Sequence, residues 1–228
     1  RWLINIIGVI VIFFIIVFGG IIMNCIVPSE SMSPTLEARQ VYIANRLAYV
    51  KSSPQRYDVV VFKAPDSEHD KYVKRIIGLP GELVNIDNKN VNIDNKKLDE
   101  PYLKEKKIDY CGVYYVPKKG DEVILQNARY DEKGNVINAD CYIGDNFVGG
   151  VVKVIDDEAS DDENIKYKKI DFLKKYCKKE DGKYIIKEDT YFLMGDNRND
   201  SLDSRFWDYT YVKKSKILAK YAFSYLKF

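Results

Sequence analysis

The sequence predicts a mainly β protein: a single N-terminal transmembrane helix followed by a sheet-dominated domain. Three observations predict it. From Trp2 to Ser29 no residue is charged, and Leu3 to Met23 is almost wholly Ile, Val and Phe, interrupted by Asn5 and three glycines. Beyond that run the chain breaks into short β-branched segments bounded by Gly, Pro, Asn or Asp. A second group of such segments, ending in an acidic run, separates two polar motifs that lie far apart in the chain.

A helix needs about 20 apolar residues to cross the hydrocarbon core, and the first run is long enough. A cleavable export signal has a shorter apolar core, roughly 7–15 residues, and a small-residue cleavage site after it. Met23-Asn24-Cys25-Ile26-Val27 supplies no such site. In lipid every backbone polar group must be paired within the segment, which leaves a lone span only the helix. Residues 1–27 therefore read as an uncleaved single-pass anchor, the alternative being a buried core helix. Arg1 favours a cytoplasmic N-terminus. Because the chain opens there rather than at a methionine, a leader ahead of it is expected.

Gln40 to Ala44, Asp58 to Phe62, Tyr72 to Ile77, Leu83 to Ile86, Val91 to Ile93 and Asp121 to Leu125 read as strands. Asp87-Asn88-Lys89-Asn90 joins two of them as a hairpin turn, and Asp94-Asn95-Lys96-Lys97 is a second turn. Residues 28–99 and 186–228 carry the polar motifs, and 100–185 stands between them as an insertion in the sequence. Within the insertion, Tyr110 to Val116 and Tyr142 to Val154 keep strand character. Asp156 to Glu163 reads as a solvated acidic loop without the alternating ligands and glycine of a calcium site. Lys166 to Lys179 follows as a short amphipathic helix, with Ile170, Leu173 and Cys177 at helical spacing.

Composition removes other classes. Lys+Arg 36 against Asp+Glu 34 leave a net charge of +2, with no basic excess to draw nucleic acid. A length of 228 residues at 46% hydrophobic content suits one core of ordinary size with an appended subdomain. The four cysteines show no CxxC or Cys-His spacing, so neither a metal nor another cofactor is expected. Cys25 reads as apolar filler at the end of the anchor. In an oxidising compartment, Cys141 and Cys177 are the candidates to pair with Cys111.

The chemistry starts where the anchor stops, at Pro28-Ser29-Glu30-Ser31-Met32-Ser33-Pro34-Thr35-Leu36. The prolines bar a helix interior and push Val27 and Ser33 toward extended backbone, so the motif is expected to be extended and able to lie along an extended peptide. A serine hydroxyl becomes a nucleophile only when a base takes its proton. The single histidine, in Asp66-Ser67-Glu68-His69-Asp70, reads as part of a polar surface loop with only the adjacent carboxylates to orient it. Lys74 is the better base. In a strand from Tyr72 to Ile77 alternate side chains share a face, which puts Lys74 with Tyr72 and Ile76 and turns Arg75 away with Val73 and Ile77. Desolvation disfavours the ammonium, and a depression of about 2 units costs roughly 2.7 kcal/mol, which a folded core can supply to leave a neutral amine. The third motif runs Tyr191-Phe192-Leu193-Met194-Gly195-Asp196-Asn197-Arg198 and on to Arg205. By itself it is a polar turn leaving a strand, and Arg198 at the second ligand position rules out a calcium loop.

The Pro28 to Leu36 stretch, Tyr72-Val73-Lys74-Arg75-Ile76-Ile77-Gly78-Leu79-Pro80-Gly81-Glu82, and Met194-Gly195-Asp196-Asn197-Arg198 followed by Ser201, Asp203 and Arg205 together resemble the type I signal peptidase family. Tyr57 to Phe62 matches a further motif of that family. The resemblance implies an all-β signal-peptidase-type catalytic domain, formed by residues 28–99 and 186–228 with a smaller β subdomain inserted at 100–185, in a membrane-bound serine endopeptidase that removes signal peptides from exported preproteins. It implies Ser31 as nucleophile and Lys74 as general base. The Ser29 hydroxyl and the Ser31 main-chain N–H would hold the oxyanion, Ser201 would orient the lysine, and Asp203 with Arg205 would form a supporting ion pair. It further implies preproteins with Ala-x-Ala cleavage sites, the lipid bilayer and the export machinery as partners, and a plasma-membrane location with the catalytic domain on the extracytoplasmic face. Asn199-Asp200 reverses the family's usual order, and Asp208 follows Trp207 where a glycine is common; neither touches Ser31, Lys74 or Ser201. A histidine-based peptidase of the endoplasmic-reticulum type would need histidine at position 74. A self-cleaving Ser-Lys repressor-type protein is opposed by the anchor and by the lack of a helix-turn-helix. A catalytically idle, membrane-tethered module that captures preproteins without cutting them stays open.

Overall fold

The computed structural model describes residues 2–67, 69–105, 108–152 and 170–227, and they are mainly β. Helix α1 (Trp2–Ile21) exposes large apolar side chains from Trp2 through Phe14, the surface a lipid-facing helix requires. The apolar run does not stay helical to its end. Strand β1 (Ile22–Ile26) pairs antiparallel with β2 (Gln40–Asn45), Ile22 opposite Asn45 and Ile26 opposite Val41. The extended backbone turns Met23 inward to join Val27, Met32 and Leu36 in one buried cluster.

β3 (Val59–Lys63) and β4 (Lys71–Gly78) form a hairpin. β5 (Leu83–Ile86), β6 (Val91–Ile93) and β7 (Lys96–Lys97) follow, and β8 (Gly112–Tyr115) returns to pair with β5. The turn between β6 and β7 is made by Asp94 and Asn95, both at positive φ, which short polar side chains tolerate. Then come β9 (Glu122–Tyr130), β10 (Val136–Ile143), β11 (Asn146–Val152), β12 (Ile170–Asp171), helix α2 (Phe172–Tyr176), β13 (Cys177–Glu180) and β14 (Lys183–Ile186). The chain ends with β15 (Thr190–Met194), β16 (Val212–Lys213) and β17 (Ile217–Lys227).

Three sheets result: seven strands in the order β1-β2-β17-β3-β4-β15-β16, six in the order β12-β11-β10-β9-β14-β13, and four in the order β7-β6-β5-β8. The four-stranded sheet straddles the expected boundary at residue 100, since β8 lies beyond it and β5 before it. Apolar packing is continuous from β4 and β15 into the six-stranded sheet, where Ile77 and Phe192 share a cluster with Val151, Phe172 and Ile186.

The amphipathic helix read over Lys166 to Lys179 is shorter in the structure. Among the described residues only Phe172–Tyr176 is helical, capped by the Asp171 carboxylate, and Cys177–Glu180 forms a hairpin with β14 instead. The acidic run at 156–163 lies outside the described residues. The expected cysteine pairing is also not what the structure holds: all four cysteines are free. Cys111 is exposed, with Asn88 accepting from its Sγ, whereas Cys141 and Cys177 are buried under the six-stranded sheet.

Candidate active site

β4 is an interior strand: Val60 of β3 stands opposite Lys74 on one side, and β15 pairs through Arg75 and Ile76 on the other. Tyr72 and Ile76, which alternate with Lys74, pack with Val60, Phe62, Leu193 and Trp207. The lysine stem thus emerges between apolar neighbours, and the whole residue is 5% exposed. Burial pulls its pKa down from 10.5 to about 8, with the carboxylates of Asp203 and Asp196 drawing it partly back up and Arg205 adding a smaller push down. Near neutral pH a fraction of such an amine is unprotonated, which an exposed lysine would not offer.

Ser31 reaches this amine by a turn rather than by the extended run expected. Glu30–Met32 is one turn of 3-10 helix, closed by Ser33 N–H to Glu30 O at 3.0 Å and followed by Leu36 N–H to Met32 O at 2.9 Å. The physical reason is burial: Met32 and Leu36 are both 0% exposed and share one cluster with Met23 and Val27, whereas an extended chain would hold two residues of this spacing about 13 Å apart. The proline effect persists at Ser33, which precedes Pro34 and is extended; Ser29, on the other side of the turn, is extended as well. The turn brings Ser31 Oγ to 2.5 Å from Lys74 Nζ, and Ser29 Oγ donates to Ser31 Oγ at 3.2 Å. His69 is exposed, its N–H bonded to Ser67 Oγ, and it takes no part in this arrangement.

Behind the pair stands the loop leaving β15. Asp203 is 0% exposed and fully engaged: Arg205 grips it through Nε and Nη2, each at 2.8 Å, Gly195 N–H donates at 2.9 Å, and Ser201 Oγ donates at 2.8 Å. A buried carboxylate is tolerable only when paired and hydrogen-bonded in this way. Ser201 thus spends its hydroxyl proton on Asp203, while the hydrogen bond that Lys74 donates goes to Ser31. Gly195 is required by space. A Cβ there would fall 2.2 Å from Ser201 Oγ and 2.4 Å from the Ser31 carbonyl oxygen.

Several further residues had no role assigned from the sequence. Asn197 N–H donates to Ser31 O at 3.1 Å and its Nδ2 to Glu30 O at 3.2 Å, so it clamps the serine turn. Asp196 accepts from Thr35 Oγ1 at 2.5 Å and from Arg75 at 2.8 and 2.6 Å, and Arg75 also donates to Thr35 Oγ1 at 3.0 Å. Arg75 does point away from the Lys74 face, as alternation requires, and there it ties the serine segment to the third motif. Their signal was membership of the same motifs as Ser31 and Lys74, which names residues without saying what they touch. Arg198, fully buried, is paired with Glu100, so the start of the expected insertion is anchored to this loop as well.

Chemically, a desolvated amine against a serine hydroxyl beside a second hydroxyl is equipped to transfer an acyl group. Residues 1–226 match the family model described as signal peptidase, peptidase S26. A signal peptidase I of Buchnera aphidicola subsp. Baizongia pistaciae is 30% identical over 228 residues, 88% of this chain and 68% of that protein. One from Aquifex aeolicus is 33% identical over 194 residues, 80% of this chain and 68% of that protein, and one from Pseudomonas aeruginosa is 28% identical over 194 residues, 80% and 54%. A solved signal peptidase I from Enterococcus faecalis covers 74% of this chain and 97% of its own at 20% identity, with a TM-score of 0.38, too low to bear on the fold.

Proposed function

The chain belongs to the signal peptidase family, peptidase S26, serine peptidases that remove signal peptides from preproteins, and on that premise we propose that Ser31 and Lys74 are its catalytic dyad. The observation that carries the reading is the 2.5 Å separation of Ser31 Oγ and Lys74 Nζ, combined with a lysine pKa pulled down to about 8. Neutral Lys74 takes the hydroxyl proton as Ser31 Oγ attacks the scissile carbonyl carbon. The oxyanion that forms is held by the Ser31 main-chain N–H and by the Ser29 hydroxyl, once rotation about its side-chain bond swings it off Ser31 Oγ. The C–N bond then breaks, and the Lys74 ammonium returns its proton to the leaving amine. A water gives a proton to Lys74 and hydrolyses the acyl-serine ester, restoring both side chains.

Ser201, Asp203 and Arg205 act behind the dyad in this reading. Asp203, locked by Arg205, opposes the desolvation of Lys74 enough to keep its pKa near working pH, and Ser201 fills the space beside Gly195 that fixes the Ser31 carbonyl. Residues 28–99 and 186–228 would form the catalytic core around them, with 100–185 as an insertion. Helix α1 would span the plasma membrane with the catalytic domain outside the cytoplasm, so that Ser31 meets a preprotein where its Ala-x-Ala site leaves the same bilayer, close to the export machinery. The test is cleavage of an Ala-x-Ala preprotein by the detergent-solubilised chain. A single cut, lost in Ser31→Ala and in Lys74→Ala, is expected; a well-folded parent that binds the preprotein without cutting it would overturn the reading in favour of an idle capture module.

A further inference from the structure

A cavity of about 420 Å³ lies away from the dyad, in the size range of small-molecule sites, and its charge is one-sided. Six lysines line it: Lys63, Lys174, Lys175, Lys187, Lys213 and Lys216. Two aspartates, Asp66 and Asp171, are its acidic members, and the Asp171 side chain already accepts from the Lys174 N–H as the cap of α2. Three of the ammonium groups are held by backbone carbonyls, and that of Lys213 also lies 3.7 Å from a Glu188 carboxylate oxygen. Lys187 Nζ donates to Lys174 O at 3.0 Å and Lys213 Nζ to Lys175 O at 3.4 Å, which satisfies carbonyls that the end of α2 leaves unpaired. Lys175 donates to Pro65 O and lies 3.5 Å above the centre of the Tyr209 ring. A lysine ammonium has three donors, so the one that Lys187 spends leaves others for an incoming acceptor.

Lys187 also lines a second cavity, of about 620 Å³, together with Arg46, Lys119 and Lys214, opposed by Glu188 and Asp189. This second cavity reaches the membrane end of the molecule, because the Arg46 N–H donates to the carbonyl of Ile21, the last residue of α1, at 2.8 Å. The two cavities therefore make a basic groove that runs from the end of the apolar helix to the α2 lysines. We infer that this groove binds the phosphate-bearing headgroup of an anionic lipid beside α1. The inference rests on the reading of α1 as the membrane anchor. Phosphate suits several lysines acting as point charges, and the continuity of the groove with α1 selects a lipid over a free anion.

The experiment uses the full chain in detergent, titrated by calorimetry with dihexanoyl phosphatidylglycerol, dihexanoyl phosphatidylcholine or inorganic phosphate, with preprotein cleavage measured on the same samples. Phosphatidylglycerol should bind at least tenfold more tightly than either comparison. Lys174→Glu/Lys187→Glu should lose that advantage while cleaving normally, and Lys96→Glu/Lys97→Glu, on exposed β7 outside both cavities, should retain it. Equal affinity for inorganic phosphate would overturn the lipid assignment, and an unchanged affinity in Lys174→Glu/Lys187→Glu would overturn the site. Failure of the parent to cleave would count against the Ser-Lys reading alone, since lipid binding is read independently.

Discussion

The seven-stranded and six-stranded sheets are stabilised by opposite means. Around β4 and β15 the interior holds Lys74, Arg75, Asp196, Arg198, Asp203 and Arg205, all buried charges. Between residues 122 and 186 no buried charged side chain occurs among the described residues, and the core there is Val123, Val136, Cys141, Val151, Phe172 and Ile186. Every buried charge in the first region except Lys74 has an oppositely charged partner in hydrogen-bond contact. Lys74 meets a hydroxyl instead. In the proposed reading, the contrast teaches that one region gives up stability to hold a reactive amine, whereas the other contributes ordinary apolar burial and a charged exterior.

The sharpest way to break that contrast is at the dyad. Ser31→Ala and Lys74→Met should each abolish cleavage, yet Lys74→Met should raise stability. The sign follows from linkage: the folded lysine has a pKa of about 8 against an ordinary 10.5, so between those values the unfolded chain binds more protons and stability rises with pH. Below pH 8 the penalty is present in full, on the order of 3 kcal/mol, and an apolar side chain removes it less the lost bond to Ser31. Urea denaturation at pH 7 checks this, and a variant that is both inactive and less stable would remove the trade-off. Ser29→Ala should lower the rate by about 10²–10³, the loss of one oxyanion donor, with substrate binding unchanged in a steady-state assay.

Gly195→Ala comes next. Its Cβ must displace Ser201 or the Ser31 carbonyl, and a shift of the serine turn near 1 Å should cost about 10²-fold in rate. Single-turnover kinetics would show the loss in the acylation step. The smallest effect belongs to the other sheet. Ile186→Val should cost about 0.5–1.5 kcal/mol in thermal unfolding and leave kcat alone. A large activity loss there would mean that the two regions are coupled more tightly than their packing indicates.

Much of the fold was legible because its cues are local. The β-branched runs at 40–44, 58–62, 83–86 and 91–93 are all strands, and Asp94-Asn95 makes its turn through two positive φ values. The apolar run hid a change of structure, because hydrophobicity alone does not separate a membrane helix from a buried strand; pairing with β2 decided Ile22–Ile26. In the same way, tertiary pairing with β14 overrode the helical spacing at Cys177. At the site, Ser31 and Lys74 were legible as motif members, and alternation on β4 placed Lys74 and Arg75 on opposite faces. The roles of Asp196, Asn197 and Gly195 were not, because each acts through a contact with a residue more than 150 positions away in the chain.

The dyad is tested most directly by the rate at which an acylating probe labels Ser31 as a function of pH. Labelling should rise tenfold per pH unit and level off near pH 8, the range to which burial lowers Lys74, and Lys74→Met should not label at all. Labelling that is independent of pH, or that survives in Lys74→Met, would contradict the assignment of Lys74 as the base.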